Sequence, residues 1–377
     1  MSHRAEKSFS LADELFNRET LGKLSAGLAN ADAKFDRKRF ERRVLARFPE
    51  LELKQRIEWI VEALEDHLPA KLSQAIPIFR KAMPPKLDPK RTDDDFGEFI
   101  WIVPGEYVAR HGCTSQDMKR SLTFLRYATQ RFTSENAIRP FLSNFQDETL
   151  RFVHECADDQ NYHVRRFASE GIRPYLPWAM RVLLPTAEIL AVLDRLYADP
   201  TRYVTRSVSN TLNDISRCDA DTVLETLDRW KADGRQSADE LRWMTNHALR
   251  TLVREDYAPA LERLGFPSRP KFRISKDHAS ADVKVGETFE RSATLHSLEE
   301  QKLKIGLRVH FLKSNGTHSA KLFKIADVDA TPNQRIPLEK RQPFRPLTTR
   351  ALYPGTHYSE WIVNGVSRGK KPFELLD

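Results

Sequence analysis

The chain has 377 residues, 40% of them apolar, and 61 Lys and Arg against 53 Asp and Glu, a formal charge of +8. That length and apolar content exclude a disordered chain and leave room for two domains with separate cores. Cys113, Cys156 and Cys218 are too scattered for a disulfide framework or zinc site, no run approaches a membrane span, and the opening MSHRAEKSFSLADELF lacks a signal-peptide core, so a soluble intracellular protein without metal or cofactor is expected.

Residues 1–267 read as helices. RIEWIVEALEDHL (56–68), MKRSLTFLRYATQRF (118–132) and AEILAVLDRLYAD (187–199) carry apolar residues three and four apart, with Pro84-Pro85, Pro104-Gly105 and Gly171 between such stretches. A repeat runs through the later part. HVRRFASEGI begins at His163, YVTRSVSNTL at Tyr203 and WMTNHALRTL at Trp243, each 40 residues after the last. In that register Val164, Val204 and Met244 align, then Ala168, Val208 and Ala248, then Ile172, Leu212 and Leu252. These positions form the buried stripe of one helix per repeat, and paired helices at that period predict a HEAT-like solenoid.

After Gly265-Phe266-Pro267 the texture changes to short β-rich runs, as in KIGLRVHFLK (304–313), HSAKLFKIADVDA (318–330) and HYSEWIVNGV (357–366). Turn signals at Asn315-Gly316 and Pro354-Gly355 separate them. Some seven strands in about 100 residues predict a small all-β, immunoglobulin-like sandwich over 268–377, without that fold's Cys…Trp…Cys hallmark. The charge is uneven: residues 268–377 hold 20 basic and 12 acidic groups, whereas 1–267 are balanced at 41 each. A polyanion partner would therefore engage the C-terminal part, or a helical part that sorts its charges onto separate faces.

Beside the apolar stripe lies a polar one. Arg166, Arg206 and Asn246 share a position, Glu170, Asn210 and Arg250 follow one turn on, and Asp214 and Arg254 one turn further. A merely solvated face would look similar, but short Asn, Asp and Ser residues with Arg at successive turns are poor helix formers and good binders. The densest segment is NYHVRRFASEGIRPYLPWAM (161–180), in which Gly171 and Pro174 end a helix and Trp178 is either core or ligand-facing.

That segment closely resembles the pattern of the AlkC-type DNA alkylation-repair glycosylases. TSENAIRPFL (133–142), RYVTRSVSNTLNDIS (202–216) and RWMTNHALRTLVRE (242–255) match in order, and the likeness continues through VHFLKSNGTHSAKLFK (309–324) and TTRALYPGTH (348–357). The resemblance implies a HEAT-like domain that grips damaged double-stranded DNA; a monomer is expected. It implies hydrolysis of the N-glycosidic bond of cationic bases such as 3-methylcytosine, 3-methyladenine or 1-methyladenine, without flipping the base into a deep pocket. By motif match Glu135, Glu170 and Asp214 are the catalytic carboxylates, and Trp178 stacks on sugar or base. Arg139, Arg166 and Arg206 hold phosphates, and Arg165, Arg173, Asn210, Asn246, His247, Arg250 and Arg350 complete the implied DNA-binding set. Simpler roles compete: Glu170 with Arg166 reads equally as a helical ion pair, and Glu135 as a helix-start charge. Asn136, Thr205 and Asn246 depart from the family pattern, which has an aromatic residue at the first and arginines at the others. Without the motifs, a protein-binding HEAT adaptor or an inactive DNA-binding solenoid would fit the repeats.

Overall fold

The computed structural model describes residues 10–90, 96–345 and 351–376. The chain divides into two compact units, Met1–Ala248 and Leu249–Asp377.

The first unit is built of helix pairs. Gln146–Ala157 with Tyr162–Gly171, Thr186–Leu196 with Arg202–Ile215, and Ala220–Asp233 with Ala238–Ala248 form the repeats foreseen by the 40-residue register. The second members stack in a row, Tyr162–Gly171 on Arg202–Ile215 and that helix on Ala238–Ala248. Their aligned residues Val164, Val204, Met244, Ala168, Val208 and Ala248 are all fully buried, which is why the repeat was visible in the apolar spacing. Local signals set the boundaries. The Asn161 and Asp219 side chains accept from His163 N and Thr222 N as N-caps, and Gly234, at φ +68°, ends the helix Ala220–Asp233.

The third repeat differs from its expectation. Its helix stops at Ala248, and Arg250–Arg254 forms a separate short helix in the second unit, so no single helix carries Asn246, Arg250 and Arg254. With Ala258–Arg263 this helix joins the sandwich rather than the solenoid. Asp256 accepts from Lys304 Nζ at 3.1 Å and Arg308 Nη2 at 2.8 Å, and Asn364 Nδ2 donates to Pro267 O at 3.0 Å.

The sandwich has eight strands among the described residues: β1 (Phe272–Ala279), β2 (Asp282–Lys284), β3 (Thr288–Ser297), β4 (Gln301–Leu312), β5 (His318–Ala330), β6 (Arg335–Pro343), β7 (Gly355–Val363) and β8 (Val366–Leu376). One sheet has the order β1-β3-β6 and the other β2-β8-β7-β4-β5. All pairings are antiparallel except β2 with β8. Asn364 at φ +48° and Gly365 at φ +82° make the tight β7–β8 turn, as an Asn-Gly pair does in type I′ hairpins. Phe289, Leu307, Val309 and Trp361 lie in the core. With no cysteine in this unit, a polar link joins the sheets: buried Arg291 donates to Asp277 on β1 and to Ser359 Oγ on β7 (2.9 Å), and Trp361 Nε1 donates to Asp277 at 3.1 Å.

Candidate active site

The helix Tyr162–Gly171 ends where only glycine fits, because a Cβ at Gly171 would meet Ile138 Cγ2 at 2.7 Å. The chain then runs through 172–185 with neither helix nor strand. One side chain holds this segment. Arg139, fully buried, donates from Nη1 to Gly171 O (2.8 Å) and Arg173 O (2.9 Å), and from Nε to Met180 O (2.6 Å). Burial and the neighbouring Arg173 push its pKa down to about 10, still charged at neutral pH. Within the loop so pinned, Trp178 adopts φ +64° and leaves 60% of its surface exposed. A non-glycine residue in that region costs of the order of 1–3 kcal/mol, and an exposed indole recovers little of it by burial.

Behind the loop runs an unbroken chain of alternating charges. Arg166 Nη1 lies 3.0 Å from Glu135 Oε1 and its Nη2 3.5 Å from Glu170 Oε1. Arg173 Nη1 donates to the same Glu170 oxygen at 2.6 Å, and its Nε and Nη2 grip Asp214 at 3.0 and 3.2 Å. Ser207 Oγ donates to Glu170 Oε2 at 2.6 Å and Tyr175 N to Asp214 Oδ2 at 3.2 Å, while Thr133 bridges Arg166 and Glu135. Three carboxylates thus share two guanidiniums, and the charged Arg139, within electrostatic reach of Arg173, Asp214 and Glu170, adds a third positive group. Burial opposes ionisation of Glu170, but Arg166 and Arg173 more than offset it and hold its carboxyl below the usual range. The carboxylates differ in access: the Glu135 side chain is 14% exposed, Glu170 6% and Asp214 1%.

At the Glu135 end lies a further acid that sequence reasoning missed. Glu106, on the helix Ile102–Gly112, lines a cavity of about 250 Å³ together with Asn136 and Trp178. Burial, reinforced by the charge of Glu135 and opposed by Arg110, pushes its pKa up to about 7. Nothing in the apolar spacing around PGEYV marks this residue.

The comparisons with known proteins bear on this arrangement. Residues 274–377 match the family described as "Uncharacterised protein YhaZ, C-terminal Ig-like domain". The uncharacterized protein YhaZ of Bacillus subtilis is 29% identical over 367 residues, covering 96% of this chain and 98% of its own. The structure of the Pseudomonas fluorescens alkylpurine DNA glycosylase AlkC, bound to DNA containing an abasic site analog, superposes with a TM-score of 0.83 at 30% identity, over 98% of this chain and 100% of that one. The chain belongs to the AlkC family.

Of the residues singled out in the sequence, this AlkC-family chain brings Glu135, Arg166, Glu170, Arg173 and Asp214 into one network, and Trp178 stands at the cavity lined by Glu106 and Asn136. Three of the implied phosphate ligands have other duties. Arg139 is sealed in the core on backbone carbonyls, and Arg173 is shared by Glu170 and Asp214. Arg165 clamps Asp199 at 2.5 and 3.2 Å while donating to the carbonyls of Asp159 and Gln160. These bonds occupy four of the five donors of Arg165 and three of those of Arg173, which leaves few for a phosphate. Arg206, Asn210 and His247 are half-buried and Asn246 is exposed, with His247 Nε2 paired to Asn210 Oδ1 at 2.8 Å. Arg250 lies half-buried in the second unit, and Arg350 falls outside the described residues. At the departure Thr205, the hydroxyl donates to Glu240 at 2.5 Å, which also takes Arg202. No helix among the described residues is long and apolar enough to cross a membrane, and no group of acidic, His or Cys residues among them has the makings of a metal site.

Proposed function

We propose that the carboxylate–guanidinium chain beside Trp178 is the centre of a DNA glycosylase that removes cationic N-alkylated bases, of the 3-methylcytosine, 3-methyladenine and 1-methyladenine class, from duplex DNA. The observation that carries the reading is the run of carboxylates and guanidiniums from Glu135 to Asp214, with the exposed Trp178 at the cavity lined by Asn136, the neighbour of Glu135. A base alkylated on a ring nitrogen is already positive and departs with the bonding pair when the C1′–N bond breaks. What the protein must supply is negative potential for the oxocarbenium-like sugar and an acceptor for the proton of the water that adds at C1′. Glu135, the most accessible carboxylate, is the proton acceptor in this reading, and Glu170 and Asp214 supply potential from behind it. Trp178 offers a π-face to the cation. The mechanism needs no metal and no cofactor.

Arg206, Asn210, Asn246 and His247 are the groups of the first unit proposed to face DNA, and the +8 carried by residues 268–377 gives the second unit the charge to bind phosphates. A purely protein-binding adaptor would have no use for a buried five-member charge cluster, which is expensive to desolvate and is retained where its field is needed.

Methylated and uracil-containing duplexes, each incubated with excess protein, test the reading by the identity of the base set free. Release of cationic methylated bases with no release of uracil is expected. Efficient uracil release would refute selection by charge, and no release from either duplex would refute the catalytic reading.

A further inference from the structure

Arg139, Arg165, Arg166 and Arg173, in and around the network, bond to carbonyls or carboxylates inside the fold. Two other arginines of the same region do not. Arg181, in the segment 172–185, and Arg217, just beyond the helix Arg202–Ile215, are exposed. Neither side chain has a carboxylate or hydrogen-bond partner among the described residues. Both lie instead over one aromatic ring, that of Tyr175, with their guanidinium carbons 4.9 and 5.1 Å from its centroid.

Tyr175 is itself fixed at both ends. Its N–H donates to Asp214 Oδ2 at 3.2 Å, and its hydroxyl lies 3.3 Å from Cys218 Sγ, the residue after Arg217. The fold therefore gathers two like charges on one ring beside the network and gives neither an internal counterion. Such a pair is repulsive in the free protein and becomes favourable once an anion lies between or beside its members. A guanidinium held over a ring keeps N–H groups at its edge, and that planar fork matches the oxygens of a phosphate.

We propose that Arg181, Tyr175 and Arg217 form a clamp for the DNA phosphodiester backbone flanking the damaged nucleotide, the two guanidiniums donating to phosphate oxygens and the Tyr175 ring holding them together. The proposal rests on the glycosylase reading and adds to it a phosphate site that none of the motif arginines supplies. A grip on the backbone positions a neighbouring C1′ while its base stays in the stack. Because Tyr175 N is bonded to Asp214, the phosphate is held in register with the carboxylates. Trp178 falls between Tyr175 and Arg181 in the chain, so clamp and indole belong to the one loop that Arg139 pins.

The test is a cycle between protein and DNA, read as the affinity of the full chain for a duplex containing an abasic-site analog. Phosphates on either side of the analog, in both strands, are replaced one at a time by uncharged methylphosphonate. Wild type should lose about tenfold at one or two adjacent positions. The double variant Arg181→Gln with Arg217→Gln should lose no more than about twofold there while keeping the wild-type penalty elsewhere. Its binding should also show a log–log salt slope flatter by about 0.9 for each phosphate no longer neutralised. Tyr175→Leu, which keeps the backbone donor to Asp214 and removes the ring, should shrink the penalty at the same positions. Both arginines are exposed, so the double variant keeps the fold. Equal penalties in wild type and double variant at every position overturn the proposal, as does coupling confined to phosphates remote from the analog. Release of methylated bases by a protein without this coupling would leave the glycosylase reading standing and the clamp refuted; coupling in a protein that releases no base would do the reverse.

Discussion

Replacing Glu106 by Gln should change how stability depends on pH. In the folded protein burial, with help from Glu135, raises this carboxyl from 4.5 to about 7, against the pull of Arg110. Between those values the folded state keeps a proton that the unfolded chain has released. By linkage, stability then falls as pH rises through this window and the loss is complete above the folded pKa. A shift from 4.5 to about 7 is a differential of about 3 kcal/mol at 1.36 kcal/mol per unit. Urea unfolding at pH 5 and pH 8 samples most of it, so wild type should lose about 2–3 kcal/mol more than Glu106→Gln across that interval. Glu135, Glu58, Lys54 and Arg110 are present in both proteins and cancel in the comparison to first order. Parallel pH profiles would mean that Glu106 is solvated in the folded state and that the cavity wall is not as dry as its packing implies.

The charge network makes a kinetic prediction: Glu170→Gln or Asp214→Asn should slow base release at least tenfold with little change in DNA affinity, a loss of about 1.4 kcal/mol or more in the transition state. Wild-type single-turnover rates in both, and in Glu135→Gln, would remove the carboxylates from the mechanism. Arg139→Met leaves the carbonyls of Gly171, Arg173 and Met180 without their donor. It should lower stability by about 3 kcal/mol, and amide exchange across 171–180 should accelerate more than in the helix Arg202–Ile215. Gly171→Ala forces a Cβ against Ile138 Cγ2 and should cost about 1–3 kcal/mol in urea titrations. Neutralising the exposed Lys321, Lys324 and Arg345 of the sandwich should flatten the salt dependence of duplex binding, by about 0.9 in log–log slope for each phosphate no longer neutralised. An unchanged slope would place the DNA-facing charge elsewhere.

The solenoid was legible because burial repeats: one stripe of Val, Ala, Leu and Met is sealed in each successive pair, and the same stripe sets the 40-residue period. The sandwich was legible from alternation and from turns such as Asn315-Gly316. The carboxylates and Trp178 could be picked out only through family motifs, since helical spacing alone did not distinguish Glu170 from a surface ion pair. The inward bonding of the arginines was not legible, for a physical reason. A guanidinium reads as a phosphate ligand in any basic motif, but Arg139, Arg165 and Arg173 turn inward to carbonyls and carboxylates brought there by loops and by neighbouring helices. The break after Ala248 was equally hidden, because Leu252 continues the apolar stripe while belonging to the second unit.

The short polar residues on these helices show how the network can exist at all. Ser169, Ser207 and Thr211 are all buried between Tyr162–Gly171 and Arg202–Ile215. Ser207 Oγ donates to Glu170 at 2.6 Å and lies 3.0 Å from Ser169 Oγ, and Thr211 Oγ1 lies 3.4 Å from Ser169 O. Small side chains let the two helices come close, and their hydroxyls replace the water that the carboxylate loses. Larger apolar residues at these positions would separate the helices and carry Asp214 away from Arg173, leaving buried charges without partners. Ser207→Ala therefore tests the link between packing and electrostatics: it keeps the spacing and deletes one hydrogen bond, so Glu170 should titrate higher than in wild type. Ser207→Val adds bulk, and its stability loss should exceed that of Ser207→Ala. Equal losses in urea unfolding would mean that the hydroxyl matters and the spacing does not.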